Sequence, residues 1–102
     1  MTNWIHTAHN AITILKSISG DDAANGKMNR IIEEWENADK NRQDPKSLLT
    51  FFGAGLSIYT TLPENLKERL WVYVHSALKE ASSIANTNKI RVTFDVTGAR
   101  FD

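Results

Sequence analysis

The strongest constraint on the fold is an amphipathic pattern between Thr61 and Ala85. Apolar residues recur there at three- and four-residue steps, so they share one face of a helix and predict a core-facing stripe: Leu66, Leu70, Tyr73, Val74, Ala77, Ala81 and Ile84. Thr61 and Glu64 have the spacing of a capping box, and Pro63 falls in the first turn, where its missing N–H costs nothing. We therefore predict a helix over about residues 62–85.

Length and charge limit the classes of protein that the chain can represent. With 102 residues, a single domain is expected, and the balance of 12 basic and 12 acidic residues disfavours binding to nucleic acid. The absence of cysteine excludes disulfides and thiolate metal sites, and it fits a cytoplasmic protein. No apolar run approaches the roughly 20 residues needed to cross a bilayer, so no membrane partner is expected.

Two helices are predicted in the N-terminal part of the chain. The first spans about residues 3–19, with Thr2 or Asn3 as its cap, and its inward stripe is Trp4, Ile5, Ala8, Ala11, Ile12, Leu15 and Ile18. The second is clearest over residues 27–40. Residues 21–26 are either a link or the first turn of that helix, because Asp21 and Asp22 suit a helix start whereas Gly26 weakens continuity.

A third helix is predicted over about residues 45–53, because Asp44-Pro45 is a favourable pair at a helix start. Leucine and phenylalanine make this segment apolar on most sides, which is typical of a buried helix. Gly53-Ala54-Gly55 permits a bend or a close approach of another part of the chain. Leu56–Thr60 either continues the helix or forms a short strand.

The C-terminal segment alternates apolar and polar residues from Ile90 to Thr97, which predicts a half-buried strand over about residues 89–97. Gly98–Asp102 has the character of a tail, and no second strand of similar quality is present. If Leu56–Thr60 is helical, an edge of the strand is open to another chain. The predicted fold is mainly α: a single-domain bundle of about four helices with a short C-terminal strand.

The sequence contains no motif that indicates a catalytic, cofactor or metal site. His6 and His9 lie three residues apart on the first helix, but a catalytic zinc site normally has three protein ligands, so we interpret them as exposed polar residues. No serine lies in a nucleophile elbow, and Gly53-Ala54-Gly55 lacks the other residues of a phosphate or dinucleotide loop. We therefore expect no enzyme activity and no cofactor.

The second helix region carries an excess of negative charge. Between Asp21 and Asp44 there are seven acidic and four basic residues, an excess of three. One interpretation is a solvated helix with pairs such as Glu36–Lys40. The other is a surface that attracts a basic partner, for which the candidate residues are Glu33, Glu36 and Asp39, followed by Glu34, Asp21 and Asp22.

Trp71 and Val72 disturb the pattern of the long helix: Val72 lies on its polar side and Trp71 at the border of that side. Tryptophan is enriched at binding hot spots, so an exposed Trp71 would indicate a contact surface. However, three tryptophans in one small domain more often belong to its core. We therefore expect another element, such as the C-terminal strand, to cover both residues.

In overall character, the chain resembles the immunity proteins of bacterial contact-dependent growth-inhibition toxins. The likeness rests on a chain of this size that opens Met-Thr-Asn-Trp-Ile-His, on the acidic stretch Ile-Ile-Glu-Glu-Trp-Glu-Asn-Ala-Asp and on the lack of a catalytic motif. It implies a cytoplasmic protein that binds a cognate toxin domain, often a nuclease, one to one and covers its active site. The alternative is a self-associating structural or regulatory module that uses the strand edge at Ile90–Val96.

Overall fold

A computed structural model describes residues 4–101 of the chain. In this range it contains four helices followed by a two-stranded antiparallel sheet. The elements are α1 (Trp4–Ser19), α2 (Asp22–Lys40), α3 (Pro45–Tyr59), α4 (Glu64–Thr87), β1 (Val92–Asp95) and β2 (Gly98–Phe101). The predicted fold class, a helical bundle with a short C-terminal β element, is thus confirmed.

Among the residues whose side chains the structure describes, the inward stripe of α1 is confirmed except at Ile18. Ala8, Ala11, Ile12 and Leu15 are buried, whereas the Ile18 residue is 58% exposed. Successive helical residues are about 100° apart, so Ile18 is rotated about 60° from Leu15 and leaves the face that meets the core. The proposed caps Thr2 and Asn3, and the predicted inward side chains of Trp4 and Ile5, lie outside what the structure describes.

Helix α2 begins five residues before the predicted start at residue 27, which corrects that boundary. The Asp21 carboxylate accepts hydrogen bonds from the backbone N–H groups of Ala23 (3.0 Å) and Ala24 (3.2 Å). Such a cap stabilises a helix by about 1 kcal/mol, which offsets the similar cost of Gly26 inside it. Residues 21–26 are therefore the first turn of the helix and not a link.

Helix α3 runs without interruption through Gly53-Ala54-Gly55 to Tyr59, so the predicted end at residue 53 is wrong. The strand alternative for residues 56–60 is wrong for the same reason. The glycines serve close approach: an ideal Cβ on Gly55 would lie 2.2 Å from the Trp35 indole nitrogen. One on Gly53 would lie 2.5 Å from the backbone nitrogen of Ala99. Their missing side chains let α2 and β2 pack against α3.

Trp35 is the centre of the core and joins α2 to α3. Its ring is fully buried and stacks on Phe52, with the ring centroids 5.4 Å apart and the planes inclined by 13°. The indole N–H donates a hydrogen bond to the carbonyl oxygen of Phe52 at 3.2 Å. This bond satisfies a buried donor that would otherwise cost about 1–3 kcal/mol.

The start of α4 differs from the predicted capping box. The Thr61 hydroxyl donates to the carbonyl oxygen of Ile58 (2.7 Å), so it closes the preceding turn and does not cap α4. The helix begins at Glu64, directly after Pro63, and continues to Thr87 instead of residue 85. Most of its predicted stripe is buried, but Tyr73 lies at the margin of that stripe and is 41% exposed.

The predicted strand over residues 89–97 is shorter than expected, and the predicted tail is its partner. β1 pairs with β2 in the register Val92↔Phe101 to Asp95↔Gly98. The sequence pattern missed β2 because its first residue is a glycine with φ +112°, a conformation suited to a tight turn. One edge of β1 is therefore paired within the chain, which removes part of the open edge expected for self-association.

The hairpin β1–β2 packs on α3. The Phe94 ring meets Phe52 edge-on, with centroids 5.4 Å apart, and the Ser57 hydroxyl donates to the carbonyl oxygen of Val96. Helices α1 and α2 run antiparallel, because His6 contacts Asp39 and the later His9 contacts the earlier Glu36. The Lys27 ammonium donates to the carbonyl oxygen of Thr61 at 3.0 Å, so the N-terminal ends of α2 and α4 are neighbours.

Among residues 4–101, no helix is long and apolar enough to cross a membrane.

Candidate partner-binding surface

The solvent side of α2 carries part of the predicted acidic surface. The inner side buries Ala24, Met28, Ile31, Trp35 and Ala38, which leaves the opposite side to polar residues. Glu33 and Glu36 are one turn apart and both exposed. Glu33 forms no ion pair with any other residue in the described part of the chain, so its carboxylate is available to a partner.

Glu36 and Asp39 lie at the edge of α2 that meets α1, opposite the two histidines. His9 Nε2 is 3.7 Å from Glu36 Oε1, and His6 Nε2 is 3.3 Å from Asp39 Oδ2. Residues three apart on a helix share a face, so a pair on one antiparallel helix can match a pair on the other. The three-residue spacing that the histidines share with Glu36 and Asp39 is visible in the sequence, but it does not specify that α1 and α2 are neighbours.

The structure does not bring the six acidic candidates into one patch. Asp39 is held by the Arg42 guanidinium at 2.6 Å, which offsets its charge. Asp21 is occupied in capping α2 and lies about 18 Å along the axis from Glu33, at 1.5 Å per residue. Asp22 shares that distant end, and the half-buried Glu34 is rotated about 200° around the helix from Glu36. Glu33 and Glu36 remain the compact pair.

The histidine pair is not an isolated exposed pair, which corrects the sequence interpretation. The His6 side chain is 58% exposed and that of His9 only 27%, and each contacts a carboxylate. Within residues 4–101, no group of three or more His, Cys, Asp or Glu residues is arranged to hold a metal ion. The contacts instead link α1 to α2 at the surface of the bundle.

Trp71 and Val72 are exposed, at 49% and 67%, so the prediction that another element covers them is wrong. The hairpin packs on α3 and leaves this side of α4 uncovered among the described residues. The Trp71 ring lies against His75, with the centroids 5.2 Å apart. An exposed tryptophan is the type of side chain that dominates protein interfaces, so this part of α4 is a second candidate surface.

Trp71 also lines a groove between the end of α3 and the start of α4. The groove has a volume of about 300 Å³, and its walls are Tyr59, Thr60, Glu64, Lys67, Glu68 and Trp71. The Tyr59 hydroxyl donates to the carbonyl oxygen of Lys67 at 2.8 Å, which fixes the ring as one wall. Burial raises the pKa of Tyr59, and the nearby negative charge of Glu64 adds to the increase.

No family model, no curated protein and no solved structure matches this chain.

Proposed function

We propose that the chain is an immunity protein that binds a cognate toxin domain, a nuclease, as a 1:1 complex and covers its active site or substrate groove. The observation that carries this proposal is the exposed carboxylate pair Glu33 and Glu36 on the outer side of α2. A nuclease groove is basic because it must hold phosphates, so it offers the complementary charge.

The placement of charge supports recognition at the surface. No Asp, Glu, Lys, Arg or His side chain among the described residues belongs to the buried core, so these charged groups are accessible to solvent or to a partner. Helix α2 has 19 residues and, at 1.5 Å per residue, is about 28 Å long. Its outer side is long enough to span much of a standard interface, which covers about 800 Å² on each partner.

The carboxylates would act mainly on the rate of association. Complementary surface charges guide two proteins into register before contact, and this guidance weakens as salt screens the charges. Once bound, α2 would exclude the nucleic acid from the toxin groove by occupying it. Inhibition in this scheme requires no reaction by the chain itself.

The proposal predicts that a gene beside this one encodes the toxin domain, and that domain is the reagent for the test. Co-expression of the chain should restore growth to cells that produce that domain, and the purified proteins should form a 1:1 complex. Reversing Glu33 and Glu36 to Lys should slow association about tenfold or more at low salt and weaken its salt dependence. Stopped-flow fluorescence measures the rate, and circular dichroism should show an unchanged fold.

Glu80→Lys is the control for Glu33→Lys alone, because Glu80 is an exposed glutamate on α4, outside the α2 surface, and both variants change the net charge by two. It should leave the association rate within about twofold of the unmodified protein, since a charge outside the contact surface guides the encounter much less than a charge within it. Failure of the chain to protect the cells would contradict the immunity function. Equal association rates for the reversed and unmodified proteins at low salt would contradict the acidic surface as the contact site.

A further inference from the structure

The groove between α3 and α4 combines an aromatic wall with carboxylates. Tyr59 and Trp71 supply aromatic rings, and Glu64 and Glu68 lie on the α4 side. Residues 64, 68 and 71 are spaced at four and three residues, so they follow one stripe of the helix. A ligand in the groove would therefore meet an indole ring and carboxylate oxygens together.

The two carboxylates differ in whether a cation lies beside them. Glu64 Oε1 lies 2.9 Å from the Lys67 ammonium, which also reaches the carbonyl oxygen of Thr60 at 3.5 Å. Glu68 has no ion pair among residues 4–101. Two carboxylates and one ammonium leave the groove with an excess of one negative charge, and that charge is centred on Glu68.

We propose that this groove binds an arginine side chain of a protein partner. The guanidinium stacks on the free area of the Trp71 indole and donates hydrogen bonds to the Glu68 carboxylate. The aliphatic stem lies along the Tyr59 side of the groove. This site is separate from the Glu33–Glu36 pair, and the proposal does not depend on the partner being a toxin.

The groove favours arginine over lysine for a geometric reason. A guanidinium is planar, so it can stack on an indole while its edge N–H groups face a carboxylate. An ammonium is a compact, strongly hydrated charge that cannot make the same stacked contact. The groove volume of about 300 Å³ suits a single side chain and is small for a folded element.

The test is a titration of the full chain with the peptide acetyl-Gly-Arg-Gly-amide, followed by NMR. The Trp71 indole N–H signal should shift on addition of the peptide, whereas that of the buried Trp35 should not. Glu68→Gln should weaken binding at least fivefold, and 0.5 M salt should weaken it similarly. The matched control Glu80→Gln removes an exposed charge elsewhere on α4 and should change the affinity less than twofold.

Two further peptides test the chemistry of the ligand. Replacing arginine with citrulline keeps the shape and removes the charge, and it should abolish the Trp71 shift. Replacing it with lysine should weaken binding at least threefold. Equal binding of the citrulline or lysine peptide, no effect of Glu68→Gln, or shifts that do not include Trp71 would overturn the proposal. Because no toxin takes part, these results are independent of the immunity function.

Discussion

Different interactions determine the residues on the two sides of α2. The inner side is specified by shape: Trp35 stacks on Phe52 and lies so close to Gly55 that a single methyl group there would collide with it. The outer side is specified by charge, and Gly26 on that side has nothing within 4 Å of where a Cβ would stand. Glycine is therefore required at position 55 of α3, which faces the inner side of α2, but not at position 26 on the outer side of α2.

This difference separates the part of the helix that determines the fold from the part that is available for recognition. Close-packed interiors respond to a change of one methyl group, whereas exposed positions away from caps and cores usually tolerate substitution within about 0.5 kcal/mol. A binding surface on the outer side of α2 can thus vary with its partner while the bundle is preserved.

The largest effect is expected for Gly55→Ala. The new Cβ would lie 2.2 Å from the Trp35 indole nitrogen, so the ring must move away from Phe52. Overpacking costs about 1–3 kcal/mol, and so close an approach belongs at the upper end of that range. The better helix propensity of alanine recovers about 1 kcal/mol at most, so a net loss of about 1–2 kcal/mol is expected. We expect a lower free energy of unfolding in urea and a changed near-ultraviolet spectrum of Trp35.

Gly26→Ala is the matched substitution on the outer side. It removes a helix-weakening glycine without creating a contact, so it should raise the free energy of unfolding by about 0.5–1 kcal/mol. The two variants are therefore expected to change stability in opposite directions. A destabilising Gly26→Ala, or a neutral Gly55→Ala, would break the comparison between the two sides.

The apolar spacing predicted the helices and most of their buried residues because periodicity reports which face of a helix meets the core. It did not predict which helices are neighbours, so the match between the histidine pair and the Glu36–Asp39 pair was missed. The sequence Gly53-Ala54-Gly55 is compatible with the close approach of another element. Only the structure shows that this element is α2 and that the Trp35 ring leaves no room for a side chain at Gly55. Composition favours a buried Trp71, but it carries no information about which side chains other elements cover.

Asp21→Ala is expected to have an intermediate effect and to refine the comparison. Asp21 is exposed and belonged to the predicted acidic surface, but its carboxylate holds the N–H groups of Ala23 and Ala24. Losing such a cap costs about 1 kcal/mol. Urea denaturation should show this loss, whereas Glu33→Ala should stay within about 0.5 kcal/mol of the unmodified protein. Equal free energies of unfolding for Asp21→Ala and Glu33→Ala would show that the Asp21 cap does not stabilise α2.

The smallest effect is expected for Asp95→Asn, at the last residue of β1 before the turn to β2. The Asp95 carboxylate accepts hydrogen bonds from the hydroxyl and the backbone N–H of Thr97 and lies 3.2 Å from the Arg100 guanidinium. Hydrogen bonding to Thr97, followed by that to Arg100, holds the pKa of Asp95 below its ordinary value of 3.8. The ionised carboxylate is therefore more favourable in the folded chain than in the unfolded chain.

The sign of the resulting pH dependence follows from that lowered pKa. The stabilisation by Asp95 is present above the unfolded pKa of 3.8 and is lost as the pH falls through the lower folded pKa. The difference in melting temperature between the unmodified protein and Asp95→Asn should thus be small but constant near pH 7, and should shrink below about pH 4. A difference that is the same at pH 7 and pH 2.5 would show that shape, and not charge, determines the role of Asp95, as it does for the inner side of α2.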